Sequence, residues 1–286
     1  MNKKSIIALM MFMIIGIAVI TVIAIPSFSN GKKAEAIISN EEVLASEVQA
    51  VEEDMGEEKE SLKEAEKEEV IEVEEEIVKY KICIDPGHQL KGNSDHEPIG
   101  PGSDKTKPKV SSGTRGVATK IPEYQINLEV SLKLRDALIE KGYDVVLTRD
   151  KNEVDLSNRQ RASIATESNS DIFLRIHADG AGKESVNGIH VLCPGETDKF
   201  TVDIYEESNI LSRTILEKLV QSTGARNRGI SYRDDISGFN WSTVPVALIE
   251  MGFMTNKRED KLLSTEEYQY KIVEGIVEGI DAYFTE

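Results

Sequence analysis

KICIDPGHQLKGN, residues 81–93, decides how this chain is read. An apolar run of strand character leads into Asp85-Pro86-Gly87-His88 and then into polar residues, so a histidine stands where a strand runs out and the chain has to turn. A turn histidine facing water accounts for this; so does a metal ligand. The choice depends on what the rest of the chain brings to the same place.

Outward from that stretch, strand and helix patterns alternate. YKICID, YDVVLT, DIFLRI, GIHVLC and PVALIE read as strands. Between the first two, Ile126, Val130, Leu134, Ala137 and Leu138 recur at helical spacing over residues 125–141, and Gly142 supplies the stop. A second helix is predicted over 159–167, capped by Ser157 or Asn158, and a third over 205–221 with Ile210, Thr214, Leu216, Leu219 and Val220 as its buried stripe. Ser264 to Glu267 has the form of a capping box opening a terminal helix, with Tyr268, Ile272, Ile276 and Ile280 four apart. The alternation predicts one α/β domain, a mostly parallel mixed sheet flanked by helices.

Composition sets the boundaries of that domain. Residues 5–25 carry no charge and follow Lys3 and Lys4, long enough as a helix to cross a bilayer with the amino terminus inside. A cleaved signal peptide is the rival reading of residues 1–29, with Val22-Ile23-Ala24 or Ala34-Glu35-Ala36 as cleavage sites, although the apolar stretch exceeds the roughly 7–15 residues of a signal core. Either reading sends the remainder outside: at the cell membrane facing the wall if anchored, secreted if cleaved. Residues 30–79 hold 18 Asp or Glu against 6 Lys, supplying −12 of the formal −17, with no proline or aromatic residue. Such a segment cannot bury enough apolar surface to fold, and reads as a largely disordered acidic linker or an interaction segment for a regulatory protein partner. Residues 80–286 hold most of the glycines and nearly all the aromatic content, enough for one core; their −7 gives no basic footprint for nucleic acid. Cys83 and Cys193, each inside an apolar run, read as buried thiols, with a disulfide in an exported domain as the alternative.

His88 is not alone in its position. His177 follows DIFLRI and Glu250 ends VALIE, so three ligand-type residues close predicted strands, and in a parallel sheet those ends share one edge. Imidazole plus carboxylate suits Zn²⁺, which in catalytic sites takes three protein ligands and keeps one position open. The third ligand is sought in Glu123, in KIPEYQIN, which is equally a carboxylate favoured at a helix amino terminus. Local spacing leaves both readings standing.

IDPGHQ, a PE pair opening a helix, LTRD, RIHAD, VPVALIEMGFMTN and ED, in this order, resemble the zinc-dependent N-acetylmuramoyl-L-alanine amidases of the amidase type 3 family. The resemblance covers about residues 80–284. It implies His88, Glu123 and His177 as zinc ligands, Glu250 as the catalytic carboxylate, and peptidoglycan as substrate, cut between the lactyl group of N-acetylmuramic acid and L-alanine of the stem peptide. It also matches Arg161, in NRQRASIA, to a family arginine near the site. Arg161, Asn240 and Trp241 are expected to contact substrate, with a surface salt bridge and core packing as the alternatives for Arg161 and Trp241. Asp85 is expected to orient His88 or to make an Asx turn with Pro86. His96 and His190 read as a loop and a strand histidine outside the ligand set, and residues 89–121 as an irregular rim. Two rival functions stay open: a non-catalytic wall-binding scaffold, against which all four site residues argue, and a zinc peptidase acting within the stem peptide.

Overall fold

The computed structural model describes residues 80–285. The expected membrane segment and acidic linker lie outside them; among the described residues no helix is long and apolar enough to cross a membrane.

Strands β1 (Lys81–Pro86), β4 (Asp144–Leu147), β5 (Ile172–Asp179), β6 (Ile189–Pro194), β7 (Asn227–Arg233) and β8 (Val246–Phe253) form one sheet in the order β4-β1-β5-β8-β6-β7. The first four neighbours run parallel, whereas β6 lies antiparallel to β8, and β7 follows β6. The sheet is thus mostly parallel and mixed, as predicted.

Both faces are covered, so the strands read as near-continuous apolar runs. On one face Ile82, Ile84, Leu174, Ile176, Ala247 and Ile249 pack under helices α1 (Glu123–Glu140), α3 (Tyr205–Thr223) and α6 (Glu266–Thr285). On the other, Cys83, Phe173, Leu192, Val246 and Leu248 meet α2 (Asn158–Glu167) and the short α4 (Ser237–Asn240). Cys83 and Cys193 are buried and free.

Local signals explain the helix ends. Pro122 precedes Glu123 as N-cap of α1, and Gly142, at φ 96°, follows its end. Ser157 and Gln160 form a full capping box on α2. Two expectations shift by one residue. The buried side of α3 keeps the expected Leu216 and Leu219 but carries Leu211 and Ile215 in place of Ile210 and Thr214, and Ser208 faces inward to accept the amide of Val246. The cap of α6 is Thr265, whose hydroxyl receives the amide of Tyr268, while the Ser264 hydroxyl turns back to the carbonyl of Lys261.

Residues 89–121 are not wholly irregular. They contain a hairpin, β2 (Asn93–Pro98) with β3 (Thr106–Val110), laid against α2 and α4. Asn158 Nδ2 donates to Lys109 O at 2.8 Å, Glu97 accepts the amide of Arg159, and Trp241 Nε1 donates to Pro98 O at 2.9 Å. NSDHEP and TKPKV lack apolar alternation because the hairpin is held to its neighbours by these hydrogen bonds and not by an apolar face.

Thr265→Ala is expected to cost about 0.5–2 kcal/mol in urea unfolding, the usual range for a lost N-cap, and Ser264→Ala less than half as much. Equal costs would contradict the cap assignment.

Candidate metal centre

The site begins where β1 leaves the sheet. Past Pro86 the amide of Gly87 still bonds Ile176 O at 2.9 Å, and a Cβ on Gly87 would overlap the His177 ring, so only glycine lets that imidazole lie across the strand end. His88 then adopts φ 61°, a conformation that costs a non-glycine residue about 1–3 kcal/mol unless its surroundings hold it. Two buried guanidiniums do so. Arg149 donates to the carbonyls of Pro86 and Gly87 at 2.8 and 2.9 Å, and also to Tyr124 O at the start of α1. Arg161 donates to Pro86 O, His88 O and Asp85 Oδ1 at 2.9, 3.0 and 2.7 Å.

Asp85 anchors this clamp. Its carboxylate also accepts Thr148 Oγ1 at 2.6 Å and Arg175 Nε at 2.9 Å. Burial by itself raises a carboxyl pKa; here Arg161 and Arg175 outweigh it and hold Asp85 well below the usual carboxylate range. Asp85 therefore orients His88 through Arg161 rather than directly.

Glu123, the first residue of α1, brings its carboxylate to the same edge. Its Oε1 lies 3.0 Å from His88 Nε2 and 3.2 Å from His177 Nδ1, and its Oε2 accepts the amide of Thr114 at 2.8 Å. One donor atom from each of His88, Glu123 and His177 lies within 4.8 Å of the others. Gly113, at φ 77°, passes so close that a Cβ would overlap the Glu123 carboxylate and the His88 ring. Despite burial, the two imidazoles hold Glu123 well below the usual carboxylate range, while burial pushes His177 down to about 4.

These residues fit a divalent cation. His88 Nδ1 lies 3.0 Å from Ser111 O and from Ser111 Oγ; with its proton on Nδ1, donated to the carbonyl, Nε2 presents its lone pair. By the same logic His177 donates from Nδ1 to Glu123, and its Nε2 is buried without a hydrogen-bond partner among the described residues. A lone pair facing a carboxylate oxygen at 3.0 Å is repulsive until a cation joins them.

Glu250 stands opposite His177 in the register of β5 and β8, so both side chains share one face of the sheet. Its Oε2 is buried without a hydrogen-bond partner among the described residues, and burial together with the charges of Glu123 and Asp179 raises its pKa well above the ordinary value. Adjacent acidic residues of α5 (Lys257–Leu263) fix the flanks: Glu259 accepts the amides of Phe253 and Gly188, and Asp260 those of Ala118 and Thr119.

The profile of the N-acetylmuramoyl-L-alanine amidases matches residues 82–282. The chain belongs to this family. The amidase is 34% identical over 164 residues to the uncharacterised protein YqiI of Bacillus subtilis (strain 168), a match covering 57% of this chain and 74% of that one. It is 28% identical over 184 residues to the germination-specific N-acetylmuramoyl-L-alanine amidase of the same organism, covering 59% and 74%. The crystal structure of the N-acetylmuramyl-L-alanine amidase of Mycobacterium smegmatis superposes with a TM-score of 0.65 at 26% identity, over 72% of this chain and 97% of that one.

Of the residues expected to touch substrate in the amidase, Arg161 is completely buried and acts on the His88 turn instead. Asn240 is buried and donates to Asp234 O, and Trp241 packs beneath the Arg159 guanidinium, 4.1 Å from its ring centre, while bonding the hairpin. Trp241 thus ties the end of α4 to the hairpin, and Asn240 ties α4 to the segment after β7. His96 is exposed on β2, bonded to Thr106. Arg149, Arg175, Gly113, Glu259 and Asp260 carry roles the sequence reading leaves unassigned; their only signals are the arginines of LTRD and RIHAD and the ED pair.

Two outcomes follow from this geometry. Gly113→Ala is expected to weaken divalent-metal binding by roughly 10–100-fold in a calorimetric titration, as displacement of a ligand's supports does, and unchanged affinity would contradict the close-approach argument. Asp85, with its folded pKa depressed, contributes stability that is present above its unfolded value of about 3.9 and lost as pH falls below it toward the folded value. Asp85→Asn is therefore expected to lose about 3–5 kcal/mol at neutral pH, by stranding buried guanidiniums, and to show a shallower acid dependence in denaturant melts.

Proposed function

We propose that His88, Glu123 and His177 hold zinc and that Glu250 is the base and acid of an amide hydrolysis on peptidoglycan, at the bond between the lactyl group and L-alanine. One observation carries the reading: on adjacent strands at one register position, His177 Nε2 and Glu250 Oε2 are both buried and, among the described residues, both without a hydrogen-bond partner. Buried polar atoms are kept in that state where a ligand completes them.

Zinc, when bound, polarises the scissile carbonyl and acidifies the attacking water. The chain's own residues do the rest. His88 and His177 keep their protons on Nδ1 through Ser111 and Glu123, presenting Nε2 to the cation. Glu250 takes a proton from water and returns it to the leaving nitrogen. Its raised pKa suits that return, and the added positive charge of the cation moves it back toward neutrality, where a carboxyl serves in both directions.

The same proposal places the domain outside the cell. Residues 1–29 anchor it, residues 30–79 link it to that anchor, and residues 80–286 cut the wall. Recovery of the full chain only from the culture fluid would remove the anchor.

The full chain incubated with purified peptidoglycan is expected to release fragments bearing new L-alanine amino termini. Chelation should abolish that release and added zinc restore it. Glu250→Gln is expected to lose turnover by at least about 10²-fold while retaining one zinc per chain. Turnover undiminished in Glu250→Gln would remove the proposed base, and new termini at another residue would make the protein a peptidase.

A further inference from the structure

His190 faces Glu250 directly across the β6–β8 register, as His177 does across β5–β8. Register partners project to the same face, so the Glu250 carboxyl stands between two imidazoles, one on each neighbouring strand, about 5 Å away at the backbone. A bulge keeps this row intact. At Met251 and Gly252 the pairing of β8 with β5 slips, so that Phe253 lies opposite Asp179, on the same side as Glu250 despite the odd spacing. Phe253 then stacks on the His190 ring, with centroids 5.6 Å apart and planes at 20°, and Asp179 Oδ2 lies 3.5 Å from His190 Nε2.

The other ring nitrogen, Nδ1, is buried and has no hydrogen-bond partner among the described residues. The neighbouring carboxylate favours the proton on Nε2, which leaves Nδ1 as an acceptor. Burial lowers the imidazole pKa, in keeping with a neutral ring. The His190 side chain is 15% exposed and lies on the same face of the sheet as Glu250. No residue of the proposed reaction uses it.

Amide hydrolysis has a need that such an acceptor meets. As water oxygen bonds to the carbonyl carbon, the amide nitrogen turns from planar to pyramidal. Its new lone pair must face the acid that protonates it, and its N–H must point elsewhere. The C–N bond then breaks, its electron pair stays on nitrogen, and that nitrogen keeps its own hydrogen and gains the one Glu250 took from water. The acid product retains the remaining hydrogen of water until it ionises. A fixed acceptor for the N–H sets which way the lone pair points.

Resting on the amidase reading of Glu250, we propose that His190 is a further catalytic residue: its Nδ1 accepts the N–H of the scissile secondary amide and so turns the nitrogen lone pair toward Glu250. Asp179 is the positioning residue that fixes the tautomer. The ligand class is a secondary amide, and an ester at the same position gains nothing from His190.

The test compares a muramoyl-L-alanyl peptide with its depsipeptide analogue, in which the scissile N–H is replaced by oxygen. His190→Phe removes the acceptor while keeping a ring on Phe253, and His190→Gln restores an oxygen acceptor. In His190→Phe the ratio of amide to ester kcat is expected to fall about tenfold, the effect of one hydrogen bond, with zinc content unchanged, and in His190→Gln to recover in part. In metal-free protein, ¹⁵N NMR is expected to find His190 protonated at Nε2. An unchanged ratio in His190→Phe, or a proton on Nδ1, overturns the inference. Wild-type protein that leaves the amide intact overturns instead the amidase reading beneath it, which keeps the two failures apart.

Discussion

The carboxylate of Glu123 sits between two imidazoles that reach it from different strands, and the sheet edge is organised around that contact. Three elements must end within a few ångströms of one another: β1 through the DPGH turn, β5 at His177, and α1 at its first residue. None of the three groups is at ease there without a cation. The turn holding His88 is in an unfavourable backbone conformation, His177 is desolvated, and Glu123 is a buried anion. The fold tolerates this combination because the supports are rigid and buried, not because the site itself is stable.

Charge balance beneath the site explains how. Two guanidiniums, Arg161 and Arg175, bond the Asp85 carboxylate; Arg161 and a third, Arg149, donate to the backbone carbonyls of the turn, and Arg149 also reaches Tyr124 O of α1. A buried carboxylate with two guanidinium partners persists as an anion, and the arginines in turn are fixed in direction. On the other side, α5 does the same with two carboxylates and four backbone amides. The candidate ligands are thus held from below by arginines acting on carbonyls, and the segments beside them by acids acting on amides. This is how a site made of loops and strand ends acquires the precision that metal binding requires.

Much of this was legible in the sequence. The buried strands announce themselves as apolar runs, and because the sheet is mostly parallel, their terminal polar residues had to converge; His88, His177 and Glu250 needed no more than that. Glu123 was different. A glutamate after a proline at a helix start is ordinary, and only its resemblance to a family motif raised it above the alternative. What stayed hidden depends on contacts far apart in the chain. Arg161 looks like a surface residue of an amphipathic helix until β1 places Asp85 76 positions away against it. The hairpin of residues 93–110 has no apolar alternation, since it is held by side-chain bonds to α2 and α4. His190 reads as a strand residue, and its significance appears only when β6 is seen to run antiparallel to β8.

The central claim is that one divalent ion is shared by residues drawn from three separate elements. Anomalous diffraction at the zinc edge, from crystals of the protein grown with zinc, tests it most directly. The account predicts a single strong peak bonded to His88 Nε2, His177 Nε2 and a Glu123 carboxylate oxygen at about 2.0–2.2 Å, with Glu250 beside the open position. A peak elsewhere, or none at these three residues, would contradict it.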